Sequence, residues 1–321
     1  MVCLKGVNFG PVFASSGAMN FAGQGWPYHE YYRHIPGFGF EGVTMITKTI
    51  TLNRRYGNMP LDKNLQPIET RPECIYVDFL RGLALNAVGL SGPGVRVQLA
   101  RNEWQRLERP FIISFSTVGE TPEERNAEWR EFLLLLKREI FSVRYGIELN
   151  ISCPNTGHEQ RVLIAEAKKK LRIAGEILPN VPLIIKVSVE ESPLTVAEIV
   201  YDTPCDAVDI SNTLKWGRLP DRIDWEKLFG TKVSPLERFG GGGMSGKYLL
   251  PLVDDWIVEA RRIGIELDII GGGGIMHKAD IKRLQKAGAN GVSFGTMYML
   301  RPWRTQGAAD YGNALFSRGE R

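Results

Sequence analysis

The sequence repeats one pattern eight times: a short apolar run rich in β-branched residues, with stretches of helical spacing between the runs. This alternation is typical of parallel βα units, in which both faces of each strand are buried. Eight parallel strands are the number that closes a (β/α)8 TIM barrel. We therefore predict this α/β fold, with a doubly wound open sheet as the alternative. The runs lie at residues 11–16, 43–48, 111–116, 147–152, 183–188, 207–212, 267–272 and 291–296.

The positions of the glycine-rich turns favour the barrel over the open sheet. A dinucleotide-binding sheet places its glycine motif after the first strand. Here the glycines at 271–274 and the Gly295-Thr296 pair follow the seventh and eighth predicted strands. These are the loops through which barrels bind phosphate with backbone N–H groups. The sequence therefore predicts a phosphate site between the two loops.

Two of the predicted helices have clear terminal signals. The stretch 122–140 follows Thr121 and carries Glu124, which together match a capping box. The stretch 277–287 is followed by Gly288, a residue that commonly ends a helix. We expect both stretches to be helical connections of the barrel.

Two other stretches are longer than ordinary connections, residues 52–85 and residues 213–247. Loops of this length inside compact domains are usually functional. No low-complexity linker interrupts the chain. We therefore expect a single domain over residues 1–321, with both excursions at the C-terminal face of the barrel.

The composition disfavours several classes of protein. A hydrophobic content of 43% with 24% charged residues is ordinary for a soluble globular protein, and no apolar run approaches the about 20 residues of a membrane span. The net charge is +4, but lysines and arginines are spread along the chain, which disfavours a nucleic-acid partner. The four cysteines form no C-x-x-C pair, and no secretion signal opens the chain. We expect free thiols, no metal site and a cytoplasmic protein.

Polar side chains stand at the ends of the predicted strands, where barrels carry their active sites. Lys48 and Lys186 end two apolar runs. Because a lysine is rarely buried without a partner, two lysines at one barrel mouth predict an anionic ligand. The run GIELNISCPN ends in Asn150, Cys153 and Asn155, which places a scarce cysteine between two asparagines.

These features occur together in one family. The chain resembles dihydroorotate dehydrogenase over about residues 8 to 300 in the motifs ELNISCPN, SNT, TKTITL with the following R-x-GN, LNAVGL, the lysine of IIKVS, GGMSG, IIGGGGI and FGT. The resemblance implies an FMN enzyme that oxidises (S)-dihydroorotate to orotate in pyrimidine biosynthesis. Cys153 is similar to the cysteine of the cytosolic class 1 enzymes, since the membrane-associated class 2 enzymes have serine there.

The resemblance also implies roles for individual residues. Cys153 would remove the C5 proton of dihydroorotate while C6 passes hydride to FMN. The implied substrate contacts are Lys48, Asn86, Asn150, Asn155, Asn212 and Thr213. The implied FMN contacts are Ser15, Ser16, Gly17, Lys48, Thr49, Asn150, Lys186, Ser211, Gly246, Gly273, Gly274, Gly295 and Thr296. Asparagine offers both a donor and an acceptor, which suits the mixed edge of dihydroorotate.

Three features depart from the family pattern. Ser91-Gly92 follow LNAVGL where many members carry an amide side chain, and the loop after Asn155 is short and contains His158. The segment 59–72 is longer than the usual link, and we expect it to cover the mouth or to mediate an oligomer contact. Two other functions stay open: a related FMN barrel acting on another dihydropyrimidine or an enoate-like substrate, and a non-catalytic barrel that binds a phosphorylated ligand.

The electron acceptor determines which partner is expected. Class 1 enzymes either pass electrons to fumarate as homodimers or work with a separate FAD and iron–sulfur subunit that connects to NAD. We expect a homodimer, and the stretch TKTITLNRRYGN followed by LNAVGL resembles the NAD-linked subclass more closely.

Overall fold

The computed structural model describes residues 1–151 and 160–317, with the backbone alone at 160–165. The strands in these ranges are Val2–Leu4 (β1), Val7–Gly10 (β2), Val12–Ala14 (β3), Thr44–Met45 (β4), Ile75–Asp78 (β5), Leu83–Asn86 (β6), Phe111–Phe115 (β7), Tyr145–Asn150 (β8), Leu183–Val187 (β9), Ala207–Ile210 (β10), Leu214–Lys215 (β11), Gly243–Gly246 (β12), Asp268–Gly272 (β13) and Gly291–Phe294 (β14). The α-helices are Pro27–Tyr32 (α1), Val95–Ala100 (α2), Pro122–Arg138 (α3), Gln160–Ile177 (α4), Pro193–Val200 (α5), Trp225–Phe229 (α6), Leu250–Arg262 (α7), Lys278–Ala287 (α8), Thr296–Leu300 (α9) and Thr305–Ser317 (α10).

Eight of the described strands form a parallel sheet in the order β4-β3-β14-β13-β10-β9-β8-β7. Its two ends meet, because parallel bridges join Ile46 to Ile112 and Ile50 to Phe115. The N–H of Thr47 donates to the carbonyl of Ile112 at 2.9 Å across this seam. Seven of the predicted apolar runs contain one of these strands and the run 147–152 overlaps β8, so the (β/α)8 barrel is confirmed and the open sheet is wrong.

The two helices with terminal signals form where the sequence places them. At the start of α3, Thr121 Oγ1 accepts from the Glu124 N–H at 3.2 Å, and the Glu124 carboxylate accepts from the Thr121 N–H at 3.1 Å. This reciprocal capping satisfies two backbone donors that the helix leaves open. Helix α8 ends at Gly288, whose φ of 113° lies in the left-handed region that favours glycine.

The two long excursions pair with each other. Strands β5 and β6 from the first and β11 and β12 from the second form an antiparallel sheet in the order β11-β12-β6-β5, in which Asn86 pairs with Gly243. A separate apolar cluster that includes Leu85, Leu214 and Met244 holds this sheet together. Two loops that are distant in the sequence thus form one structural unit, which brings Asn86 to the barrel mouth.

The N-terminal hairpin of β1 and β2 supplies the apolar residues at the other end of the barrel. Its buried side chains, among them Val7 and Phe9, form one cluster with Phe13, Ile112 and Ile184 from the barrel strands. The interior is therefore apolar at this end, and the polar strand ends lie on the opposite side. None of the described helices combines the length and the low charge needed to cross a bilayer.

Candidate active site

The C-terminal ends of the barrel strands open into a cavity of about 640 Å³. Residues predicted as site residues that line it are Ser15, Ser16, Gly17, Lys48, Thr49, Asn86, Asn150, Lys186, Ser211, Asn212, Thr213, Gly273, Gly274, Gly295 and Thr296. Cys153 and Asn155, together with His158, lie outside the described residues. The fold thus gathers at one mouth residues that are as far as about 280 positions apart in the sequence.

Glycine is required in the loop after β13. Gly274 has a φ of +92°, and a Cβ there would lie 2.7 Å from the Leu250 nitrogen and 2.8 Å from the Gly246 oxygen. Gly246 is not among the lining residues, so it packs behind the loop instead of facing the cavity. Gly273 also has a positive φ of +101°. The absence of side chains at 273 and 274 leaves this backbone accessible to a phosphate.

Thr49 is the centre of a hydrogen-bond network on the cavity floor. Its Oγ1 lies 2.8 Å from Ser16 Oγ and 2.8 Å from Ser114 Oγ, and it accepts from Asn150 Nδ2 at 3.0 Å. Asn212 Nδ2 in turn donates to Asn150 Oδ1 at 2.8 Å. These bonds fix which way both amides point at the cavity, because each amide presents its oxygen and nitrogen in one orientation only.

Lys186 projects from β9 into the barrel interior below the cavity. Its Nζ donates to Asp209 Oδ2 at 2.6 Å and lies 3.8 Å from Glu148 Oε2. The strand register explains the contact, because Lys186 pairs with Asp209 on β10 and with Asn150 on β8. Lys186 is therefore a buried, ion-paired cation at the lining of the cavity. The sequence placed it at the barrel mouth, and the anionic ligand predicted for it stays a prediction.

Lys48 is held by the two residues that depart from the family pattern. Its Nζ donates to the carbonyl of Ser91, and the ammonium lies 5.1 Å from the centre of the Phe21 ring. A Cβ at Gly92 would approach that ring to 3.2 Å, so glycine leaves room for Phe21. Ser91 accepts the hydrogen bond from Lys48, and Gly92 leaves space for the Phe21 ring that lies beside the ammonium.

The cavity mouth also contains residues that no motif indicated. They are mainly apolar or aromatic and come from the segments around α1 and from residues 59–72, and they include Trp26, Tyr28, Tyr31, Met59, Pro67, Ile68, Glu69, Thr70 and Pro72. The unusual length of segment 59–72 was the one sequence signal for them. Its residues line the mouth, which is the first of the two roles expected for it.

The described cysteines are poor candidates for proton transfer. Cys3 is exposed on the N-terminal hairpin, and Cys74 and Cys205 are buried away from the cavity lining. Burial raises the pKa of Cys74 to about 11 and that of Cys205 to about 12. Both buried thiols stay protonated at neutral pH, so neither is suited to act as a base.

Comparisons with known proteins agree with this fold and show the family. The family model for dihydroorotate dehydrogenase matches residues 2–305. Catalytic subunits named dihydroorotate dehydrogenase B (NAD(+)) are similar: that of Caldicellulosiruptor bescii is 28% identical over 91% of this chain and 85% of its own length, and that of Methanopyrus kandleri is 31% identical over 79% and 73%. The crystal structure of DHODH from Eimeria tenella in complex with ferulenol shares the fold, with a TM-score of 0.69 and 20% identity over 99% of this chain and 85% of that chain. This chain belongs to the dihydroorotate dehydrogenase family.

Proposed function

We propose that this protein oxidises (S)-dihydroorotate to orotate in pyrimidine biosynthesis, with FMN bound in the cavity at the barrel mouth. The observation that carries the proposal is the convergence of Lys48, Lys186 and the amides of Asn86, Asn150 and Asn212 on one cavity. Membership of the dihydroorotate dehydrogenase family supports the reaction. The lysine and asparagine side chains of the cavity support a substrate that carries a carboxylate and ring amides. The cysteine base and the individual contacts are carried over from the family resemblance.

The residues of the cavity suit FMN. The loop at Gly273 and Gly274 offers backbone N–H groups to a phosphate, and Lys186 offers a buried cation to a ring that gains negative charge. When bound, FMN supplies the acceptor for the hydride from C6, which carries both electrons of the oxidation. The residues that would hold it are Ser15, Ser16, Gly17, Lys48, Thr49, Asn150, Lys186, Ser211, Gly273, Gly274, Gly295 and Thr296, with Gly246 behind the loop.

The substrate would be bound by amides and by one cation. Dihydroorotate carries a carboxylate, ring carbonyls and ring N–H groups, and asparagines complement such a mixed edge. The bonds from Asn212 to Asn150 and from Asn150 to Thr49 hold two of the amides before any ligand binds. Lys48, fixed by the Ser91 carbonyl and the Phe21 ring, would pair with the carboxylate. Preorganisation of this kind lowers the cost of orienting the substrate.

Cys153 is the proposed base for the C5 proton. The reference pKa of a cysteine is about 8.5, close to the working pH, and a cation beside a cysteine favours its thiolate. We expect Cys153→Ala to retain FMN and to lose most of the flavin reduction by dihydroorotate. We expect Cys153→Ser to be slow at neutral pH and faster in base. Anaerobic stopped-flow absorbance measures both, and parental reduction by Cys153→Ala would remove the base role.

Substrate choice separates this proposal from its alternatives. The purified protein should be yellow, and dihydroorotate should bleach the flavin anaerobically while dihydrouracil and dihydrothymine should not. Bleaching by another dihydropyrimidine or by an enoate-forming substrate alone would favour the related FMN barrel. A purified protein that is colourless and that binds no added FMN would favour the non-catalytic barrel that binds a phosphorylated ligand.

We propose NAD as the final acceptor, reached through a separate subunit that carries FAD and an iron–sulfur cluster in the cytoplasm. The relatives named as catalytic subunits of an NAD(+) enzyme support a second subunit. Among residues 1–151 and 160–317, no group of three or more His, Cys, Asp or Glu side chains is arranged to hold a metal. Turnover should be measured with fumarate, NAD and a quinone analogue in turn. Fast turnover of the chain alone with fumarate would favour the homodimer instead.

A further inference from the structure

A polar layer lies inside the barrel directly beneath the proposed flavin site. Ser114 on β7 pairs with Glu148 on β8, and Lys186 on β9 pairs with Asp209 on β10. Glu148 and Asp209 are 0% exposed, and Lys186 is 4% exposed. An apolar cluster that includes Ile112 fills the barrel below this layer. Water therefore does not compensate the charges of the layer.

The charges of the layer do not balance when both carboxyl groups are ionised. One ammonium, that of Lys186, faces Asp209 at 2.6 Å and Glu148 at 3.8 Å. The groups that face Glu148 in the described part of the chain are Lys186 from β9, Asp209 from β10 and Ser114 from β7. An uncompensated buried negative charge is costly. One proton on the two carboxylates makes the layer neutral.

The hydroxyl groups next to Glu148 are one hydrogen short when Glu148 is ionised. Four oxygen–oxygen contacts run in series: Thr47 O to Ser16 Oγ at 2.9 Å, Ser16 Oγ to Thr49 Oγ1 at 2.8 Å, Thr49 Oγ1 to Ser114 Oγ at 2.8 Å, and Ser114 Oγ to Glu148 Oε1 at 2.6 Å. Each contact needs one hydrogen, and the three hydroxyls supply three. With Glu148 ionised, Ser114 donates to it and one contact is left with two facing lone pairs. With Glu148 protonated, all four contacts are satisfied.

We propose that Glu148 is a neutral carboxylic acid in the folded protein, and that this positioning residue leaves Asp209 as the ionised carboxylate that faces Lys186 in the part of the chain that the structure describes. Burial raises the pKa of Glu148 to about 8; the charge of Lys186 opposes this shift, and the charge of Asp209 and its hydrogen bond with Glu148 add to it. Two observations favour this state: Lys186 lies closer to Asp209 than to Glu148, and the buried oxygens Glu148 Oε2 and Asp209 Oδ1 have no other hydrogen-bond partner among the described residues. Its consequence rests on the proposed function: a neutral Glu148 keeps the layer under the flavin from becoming net negative, which favours flavin reduction.

The first test is the pH dependence of stability in the parent and in Glu148→Gln. The pKa of Glu148 is raised in the folded state from its ordinary value of 4.5, so its stabilising effect is full below about pH 4.5 and is lost as the pH rises to about 8. Glutamine keeps the shape and can donate to Ser114 through its amide. We expect the melting temperature of Glu148→Gln, minus that of the parent, to rise between pH 5 and pH 8. A constant difference would overturn the proposal.

Infrared spectroscopy tests the proton directly. At pH 7 the parent should show a carbonyl band of a buried carboxylic acid, and Glu148→Gln should lack it. The band should disappear from the parent above about pH 8. Should Glu148→Gln fail to fold, the pH titration of this band in the parent decides alone. A parent without the band at pH 7 would overturn the proposal.

The midpoint potential of the bound flavin tests the consequence. At pH 7 the parent and Glu148→Gln should have the same potential, whereas above about pH 8 the potential of the parent should fall more steeply. The matched control is Glu166→Gln, a buried glutamate of a cluster outside the barrel, which should leave the pH dependence of the potential unchanged. Parallel pH dependences of parent and Glu148→Gln would refute the consequence. A protein that binds no flavin would instead refute the proposed function and leave the stability and infrared tests intact.

Discussion

Two buried ion clusters of the molecule have opposite charge counts. The barrel cluster consists of Glu148, Lys186 and Asp209, and the helix cluster between α3 and α4 consists of Arg125, Glu166 and Lys170. The first has one cation for two carboxyl groups, and the second has two cations for one. Burial raises the pKa of Glu148, whereas for Glu166 the hydrogen bonds from Arg125 and Lys170 outweigh burial and lower it. The pKa of a buried glutamate is thus raised in one cluster and lowered in the other, because the charged partners of the two glutamates differ.

In the helix cluster, backbone carbonyl groups accept hydrogen bonds from Arg125 and so stabilise the excess positive charge. Arg125 Nη1 donates to the carbonyls of Gly119 at 3.0 Å and Glu120 at 2.7 Å, and Lys170 Nζ donates to Glu166 at 2.7 Å. These bonds tie the loop after β7 to α4, the helix that follows the segment 152–159. In the barrel cluster, Lys186 bonds Asp209 and Ser114 contacts Glu148, and the cluster meets the cavity, so we assign its balance to a proton.

The largest effect is expected from removing the cation of the barrel cluster. Lys186→Met leaves the buried Asp209 carboxylate beside the neutral Glu148 without the ammonium that faces both of them. We expect the free energy of unfolding to fall by about 3–5 kcal/mol and the rate of flavin reduction to fall by about 100-fold or more. Urea denaturation and anaerobic stopped-flow absorbance measure the two effects. A variant with parental stability and rate would show that the barrel cluster is not coupled to the site.

The matching change in the helix cluster should affect stability alone. Glu166→Gln leaves Arg125 and Lys170 without an anion, and we expect a loss of about 3 kcal/mol. The flavin potential should stay at the parental value, because the cluster lies outside the barrel. A shifted potential in this variant would contradict the distinction between the two clusters. Urea denaturation and a potentiometric titration of the holoprotein provide the data.

The loss of stability caused by Glu166→Gln should become smaller at acidic pH. The pKa of Glu166 is lowered in the folded state from 4.5, so the stabilisation by this carboxylate is present above about pH 4.5 and is lost as the pH falls through the folded value. The stability deficit of Glu166→Gln should therefore shrink below pH 4.5, whereas the Glu148→Gln difference changes between pH 5 and pH 8. Thermal melts from pH 3 to pH 9 compare the two windows. A deficit that grows in acid would reverse the assignment for Glu166.

The smallest effect is expected at an exposed ion pair between α4 and the turn that follows α5. Arg172 Nη2 on α4 lies 2.9 Å from Asp202 Oδ2, with both side chains more than half exposed. Asp202→Asn keeps a residue that tolerates the left-handed φ of 55° found there. We expect a loss of less than about 1 kcal/mol that salt reduces further. A loss as large as that of Glu166→Gln would mean that burial does not govern the energies of these pairs.

The barrel and the lining of its mouth are predictable from the sequence. Strands buried on both faces leave a strong apolar pattern, and the topology brings their C-terminal ends together whatever their separation in the sequence. Lys186 and Asn150 stand at such ends, so their meeting follows from the fold. Cys153 and Asn155 lie outside the described residues, and their roles stay predictions.

Features that depend on register between distant segments were not predictable. Glu148 and Asp209 lie within apolar runs, and nothing local shows that they face one lysine. The pairing of β6 with β12 joins residues about 160 positions apart. The hairpin of β1 and β2 is local, but its turn contains neither Asn-Gly nor Asp-Gly, the usual sequence signals of a hairpin. The aromatic residues of the mouth, such as Tyr31, likewise have no motif.

An anaerobic single turnover tests the central claim most directly. The holoprotein is mixed with excess (S)-dihydroorotate without any electron acceptor, and the loss of flavin absorbance and the amount of orotate are measured in the same sample. The account predicts one orotate formed for each flavin bleached. Dihydrouracil at the same concentration should give neither signal. Bleaching without orotate, or an unchanged flavin spectrum in the presence of dihydroorotate, would contradict it.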